Sequence, residues 1–179
     1  KARNMVLELL LADQPEKDVS HDPNSLLWRW IEKAGVKQSR FPAKSYPKAD
    51  NSHIAMAVNL DSCIHCNLCV RACREVQVND VIGMSNRGSE SKITFDFSDP
   101  MGESTCVACG ECVQACPTGA LMPSNLLDNK QVNIGVADKQ VNSLCPYCGV
   151  GCQIKYHVKN NEILYVEGGS SDGTLEEIK

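Results

Sequence analysis

Eight of the eleven cysteines fall in two runs of a single spacing, and that spacing limits what the chain can fold into. The first run reads C-I-H-C-N-L-C-V-R-A-C over 63–73, and the second reads C-V-A-C-G-E-C-V-Q-A-C-P over 106–117. Both are Cys-x2-Cys-x2-Cys-x3-Cys. Each ligand of the first recurs 43 residues on: Cys63 to Cys106, Cys66 to Cys109, Cys69 to Cys112, Cys73 to Cys116. Disulfide frameworks do not repeat in this way, and zinc sites use pairs of Cys-x2-Cys rather than triples followed by a fourth cysteine. Four soft thiolates, three on a tight loop and one on the helix after it, suit the four irons of a [4Fe-4S] cubane.

The run resembles that of bacterial ferredoxins, in which the fourth cysteine of one run serves the other cluster. That resemblance assigns Cys63, Cys66, Cys69 and Cys116 to one [4Fe-4S] cluster and Cys106, Cys109, Cys112 and Cys73 to a second. Pro117 follows Cys116 as the pattern asks, but Arg74 follows Cys73, so the chain should leave the first helix differently. Arg71 and Arg74 sit beside the first run, either softening cluster charge or simply solvated.

Composition agrees with metal in the core. Hydrophobic residues make up 42% only with the cysteines counted among them, and aromatics are 5%, so clusters should supply much of the folding energy. The formal charge of −4 argues against a nucleic-acid footprint. Unevenly numbered, clustered thiols fit a reducing, cytoplasmic setting. No run reaches the length of a transmembrane helix, which argues against a membrane partner. The chain opens at Lys1 within a helical pattern, as a piece of a longer protein would.

The expected fold class is α+β: a two-[4Fe-4S] ferredoxin-like domain, preceded by a helical segment and followed by a small β-hairpin iron–sulfur subdomain. The boundaries are 1–56 for helices and linker, 57–124 for the double-cluster domain, 125–139 for a linker, and 140–179 for an incomplete subdomain. Residues 1–12 read as a helix with a stripe of Met5, Val6, Leu9, Leu10 and Ala12. Asp22-Pro23 reads as the cap and first position of a second helix, with Leu26, Leu27, Trp30 and Ile31 as its apolar face and Gly35 as its stop. Residues 1–56 hold no cysteine and should act as a metal-free clamp on neighbouring protein. Short strands are expected at 57–59, 81–85, 93–97 and 121–123, and helices at 67–78 and 110–116. His21, His53 and His157 read as surface or capping residues, and His65 as a loop residue bonded to nearby backbone.

A third group, C-P-Y-C-G-V-G-C at 145–152, has a different spacing, Cys-x2-Cys-x3-Cys. Alternation over 153–159, the pair Asn160-Asn161, and a return over 162–167 predict a hairpin behind it. Three cysteines admit a [3Fe-4S] cluster, a zinc with an outside ligand, or a [4Fe-4S] cluster whose fourth ligand lies beyond this chain.

Here the residues resemble a family. C-P-Y-C-G-V-G-C with its hairpin is similar to the opening of the molybdopterin oxidoreductase domain. The stretches A-M-A-V-N-L-D-S-C-I-H-C over 55–66 and D-P-M-G-E-S-T-C-V-A-C over 99–109 resemble the alpha subunit of soluble NAD-dependent formate dehydrogenases, which are molybdenum or tungsten enzymes. The resemblance implies a third [4Fe-4S] cluster at Cys145, Cys148 and Cys152, with its fourth ligand not in 170–179. It implies formate oxidation to carbon dioxide at a bis-pterin guanine dinucleotide site elsewhere in the subunit, and electron flow to a flavin/NAD-binding iron–sulfur partner subunit. It implies no catalytic residue in this chain. The relatives' upstream motif of one histidine and three cysteines is missing here. The competing reading is a separate ferredoxin-like electron-transfer subunit of another cluster-rich oxidoreductase, such as a hydrogenase or a complex I-like assembly.

Overall fold

The computed structural model describes residues 1–45, 48–133, 135, 137–146 and 148–167, the last four by backbone alone. The expectation that 170–179 supply no cluster ligand lies outside these residues. The chain forms two compact units, Lys1–Asn133 and Ile134–Lys179.

The first unit opens with two helices, α1 over Ala2–Leu11 and α2 over Leu26–Ala34. They bury Leu7 and Leu11 against Leu27, Trp28 and Ile31. This is a different stripe from the one expected on α1, where Met5, Val6 and Leu9 stay exposed. The helix is apolar nearly all round, so period alone could not choose its face. On α2, Trp28 goes inside and Trp30 outside, with the Lys33 ammonium 5.0 Å from the Trp30 ring centre. The cap of α2 is Ser25, whose Oγ accepts from the Trp28 N–H at 3.4 Å, three residues later than the Asp22 start expected. Asp22 instead closes a turn of its own, accepting from the Asn24 N–H. Gly35 ends α2 in the left-handed conformation, φ +67, as read.

Two antiparallel pairs frame the rest of this unit. Strand β1, Met56–Val58, pairs with β4, Leu121–Pro123, and β2, Ile82–Ser85, pairs with β3, Lys92–Phe95. Between them lie the short helices α3, Leu68–Arg71, and α4, Glu111–Gln114. The core joins Met56, Val58, Val70, Val81, Ile82, Ile93, Phe95, Met101 and Leu121 with the thiols of Cys69, Cys73 and Cys112. The helix expected over 67–78 runs continuously over 68–76 but is not α-helical throughout. After Arg71 it widens into one π-helical turn, Ala72–Val76, and then leaves through a loop to β2. With Arg74 where the second run has Pro117, the N–H groups survive to make this wider turn.

In the second unit, β6, Gln153–Lys159, pairs with β7, Glu162–Glu167, through the predicted turn at Asn160-Asn161, both at positive φ. The hairpin gains a third strand, β5, Lys139–Leu144, on the other side of β6. The sequence of β5 gave no alternation to read, and Val141 and Leu144 are exposed. His157, expected on a solvated face, is buried.

Candidate metal centre

The two cysteine runs fold alike. His65 and Ala108, 43 residues apart, both take positive φ (+54 and +57), and so do Asn67 and Gly110 (+62 and +78) at the starts of α3 and α4. Alternating left-handed residues turn successive N–H groups to one side and make a concavity suited to an anionic group. The His65 N–H points at Cys63 Sγ (3.5 Å) and the Ala108 N–H at Cys106 Sγ (3.4 Å). Glycine supplies such a backbone at 110; at 65, 67 and 108 residues with side chains adopt it.

Three thiols of the first run meet one of the second. Cys63, Cys66, Cys69 and Cys116 line one cavity with Leu60, Ile64, Ile93, Ala120 and Leu121. Burial pushes the Cys63 thiol up to about 11, with Cys116 and Cys66 adding to the rise. The Cys69 thiol is pushed up to about 12, again by burial first and then by Cys116, Cys63 and Cys66. Around Cys112 the neighbours are Cys106, Cys109 and Cys73, and burial followed by these thiols pushes it up to about 12. Thus Cys116 stands with the first run and Cys73 with the second.

The donors fit the cubane chemistry. Each quartet is all sulfur, each faces inward N–H groups, and the first is shelled by aliphatic side chains. Among the described residues no three His, Cys, Asp or Glu side chains converge closely enough for a single metal ion. A cubane does not ask for that, because each thiolate sits on a different iron. All eleven cysteines are free thiols.

The helical segment packs on the first ligand loop. Ile64 joins the α1–α2 cluster, Gln14 Nε2 donates to the Ser62 carbonyl (3.2 Å), and the Leu27 N–H donates to the Pro117 carbonyl (3.2 Å). His21, expected at the surface, is fully buried, with Nδ1 donating to the Gly119 carbonyl at 3.1 Å. Gly119 has φ +74, and a Cβ there would stand 2.5 Å from Asp22 Cβ. His53 does cap a turn, accepting from the Ala55 N–H.

In the second unit the Cys145 N–H donates to the Cys152 carbonyl at 2.8 Å, closing the loop between β5 and β6. Cys145 is half-buried, while Cys148 and Cys152 are exposed.

Asn79 escaped sequence reasoning. Its Nδ2 lies 3.9 Å from Cys109 Sγ, on the loop after the π turn. The one hint was the missing proline after Cys73.

Comparison with known proteins gives two matching families. Residues 62–120 match the 4Fe-4S dicluster domain, and residues 138–176 match the molybdopterin oxidoreductase Fe4S4 domain. A Staphylococcus haemolyticus protein named "Putative formate dehydrogenase" is 27% identical over 74% of this chain and 17% of its own length. A Bacillus subtilis protein named "Probable oxidoreductase" is 28% identical over 71% of this chain and 16% of its own. The chain thus spans about a sixth of the length of the curated relatives it matches. A chain of a crystallised NAD+-reducing [NiFe]-hydrogenase in the H2-reduced state is 25% identical, with a TM-score of 0.60, over 69% of this chain and 54% of that one. Among the described residues no helix is long and apolar enough to cross a membrane. The chain carries iron–sulfur segments of two kinds, and its likeness runs to the iron–sulfur region of molybdopterin oxidoreductases.

Proposed function

We propose that the chain is the electron-relay portion of a formate dehydrogenase catalytic subunit. On this reading formate is oxidised at a molybdenum or tungsten bis-pterin site carried elsewhere in the protein. Electrons enter this chain at Cys145, Cys148 and Cys152 and leave towards a flavin- and NAD-binding partner in the cytoplasm. The observation that carries the reading is the pair of thiol quartets shared between the repeats, joined in one chain to a segment that matches the molybdopterin oxidoreductase Fe4S4 domain.

Each quartet, Cys63/Cys66/Cys69/Cys116 and Cys73/Cys106/Cys109/Cys112, holds one [4Fe-4S] cluster. Bound clusters supply one-electron chemistry. The chain's own residues do the rest. Thiolates fix the irons, N–H groups of His65 and Ala108 offset the negative charge, and Leu60, Ile64, Ile93 and Leu121 keep water from the first site. Sharing ligands between the runs holds the two sites against one core. Within this reading 57–124 is the double-cluster domain, and a third [4Fe-4S] cluster takes its fourth ligand from outside the chain.

A second reading has one observation behind it, the likeness to a chain of an NAD+-reducing hydrogenase. The chain would then carry electrons for a different metal site. Anaerobic addition of formate to the complete protein decides between them. Bleaching of the cluster absorbance by formate supports the first reading, with this chain alone bleached only by dithionite. Bleaching by dithionite but not by formate, with the pterin metal fully loaded, overturns the formate assignment and leaves the carrier reading. Bleaching of this chain alone by formate overturns the relay role.

A further inference from the structure

The loop between the π turn and β2 breaks the symmetry of the two repeats. Val78 and Asp80 both take left-handed backbone, φ +57 and +53, on either side of Asn79. That conformation is costly for a β-branched residue, and Val78 is 80% exposed, so no packing contact explains it. The loop is clamped all along its length. The Gln77 N–H donates to the Ala72 carbonyl (3.1 Å) and the Asn79 N–H to the Cys73 carbonyl (3.0 Å). Asp80 Oδ1 accepts from Arg74 Nε at 2.6 Å. The Val81 N–H then donates to Cys73 Sγ at 3.3 Å.

The result of these clamps is the position of one side chain. Asn79 Nδ2 faces Cys109 Sγ at 3.9 Å, and Cys109 is the exposed thiol of its quartet. The residue 43 places on is Met122 on β4, which has no donor to offer the other quartet. The first quartet has a different side-chain neighbour, Thr118 Oγ1, 3.6 Å from Cys116 Sγ.

We propose that the 77–81 loop sets the reduction potential of the cluster held by Cys73, Cys106, Cys109 and Cys112, with Asn79 as the residue that raises it by donating to Cys109 Sγ. The inference rests on the ligand sets of the preceding section. A reduced cluster carries one more negative charge than an oxidised one, and the charge spreads onto the ligand sulfurs. A donor fixed on such a sulfur stabilises the reduced form more than the oxidised form, so the potential rises. Two donors from one strained loop, the Val81 N–H and the Asn79 amide, act on a single quartet. The second site is thereby made the better electron acceptor than it would be with water alone around Cys109. Asn79 is a positioning and tuning residue, and it takes no part in bond-making.

The test is an EPR-monitored redox titration of the chain in its complex. The signal of the second cluster is identified as the one damaged in Cys112→Ser, since Cys112 belongs to the second run whichever quartet Cys73 joins. Asn79→Leu keeps the size and removes the donor, so the second midpoint should fall while the first stays. Asn79→Asp puts a negative acceptor against the sulfur and should lower it further. Asn79→Gln, which keeps an amide, should lie nearer the wild type than Asn79→Leu. An unchanged second midpoint in Asn79→Leu at full iron content overturns the proposal, as does an equal shift of both midpoints. Loss of the second cluster from Asn79→Leu also overturns it, since that marks a residue needed for occupancy rather than tuning. A wild-type chain without two distinct [4Fe-4S] signals fails the ligand reading itself, and the inference falls with it.

Discussion

His21 shows how far a single residue can be decided by sequence-distant geometry. Its neighbours Ser20, Asp22 and Pro23 are those of a surface turn, yet the ring is fully buried. Gly119, 98 residues away, makes the room, because only a residue without a Cβ fits beside Asp22 at φ +74. Burial lowers the His21 pKa from its ordinary 6.5, against smaller opposing pulls from the Gly119 carbonyl and Asp61. Nε2 has no partner among the described residues. The fold therefore holds the neutral ring. As pH falls through 6.5 the unfolded chain takes up the proton first, so stability is lost from there downward to the lower folded value. The melting temperature of the cluster-loaded protein should drop between pH 7.5 and 6, and it should drop less in His21→Leu. Equal slopes for the two proteins would remove the histidine from the account. Gly119→Ala should cost on the order of 2 kcal/mol by overpacking at any pH, read as a lowered melting temperature.

At the scale of elements, the repeat was legible and its surroundings were less so. The cysteine spacing carried over directly into matched loops, because spacing fixes where three thiols can wrap one centre, and both loops use the same left-handed positions. The strands β1 to β4 and the hairpin of β6 and β7 came out within a residue or two of their expected places. One buried face and two elements were hidden for physical reasons. Helix α1 is apolar on too many sides to show its buried face, β5 is exposed and without alternation, and the π turn depends on a tertiary contact of Cys73 with the Asn79–Val81 loop. The crossed arrangement of quartets predicts a specific lesion. Cys73 lies in the first run, but its thiol stands with Cys106, Cys109 and Cys112. Cys73→Ser should therefore damage the cluster of the second run and spare the signal from Cys63, Cys66 and Cys69. Damage confined to the first-run signal would mean that each run serves itself.

At the scale of the whole molecule, the first unit is a fold whose core is partly sulfur. Cys69, Cys73 and Cys112 are buried among Val70, Ile82, Ile93 and Phe95, where aliphatic side chains alone are few. Burial lifts the thiols of Cys63, Cys69 and Cys112 to about 11, 12 and 12. A metal-free chain must hold them protonated, a contribution present below their usual 9 and lost as pH rises through 11 to 12. Loading runs the other way. Iron binds the thiolate, so every ligand bound releases a proton, and loading is favoured by rising pH throughout the physiological range. The affinity for the assembled cluster should gain roughly tenfold per pH unit for each thiol ionised. Anaerobic reconstitution followed in unbuffered medium should thus acidify the solution, and the yield of clusters should rise from pH 6.5 to 8.5. A cluster yield flat across that range, with no acid released, would show that the ligands bind without losing protons.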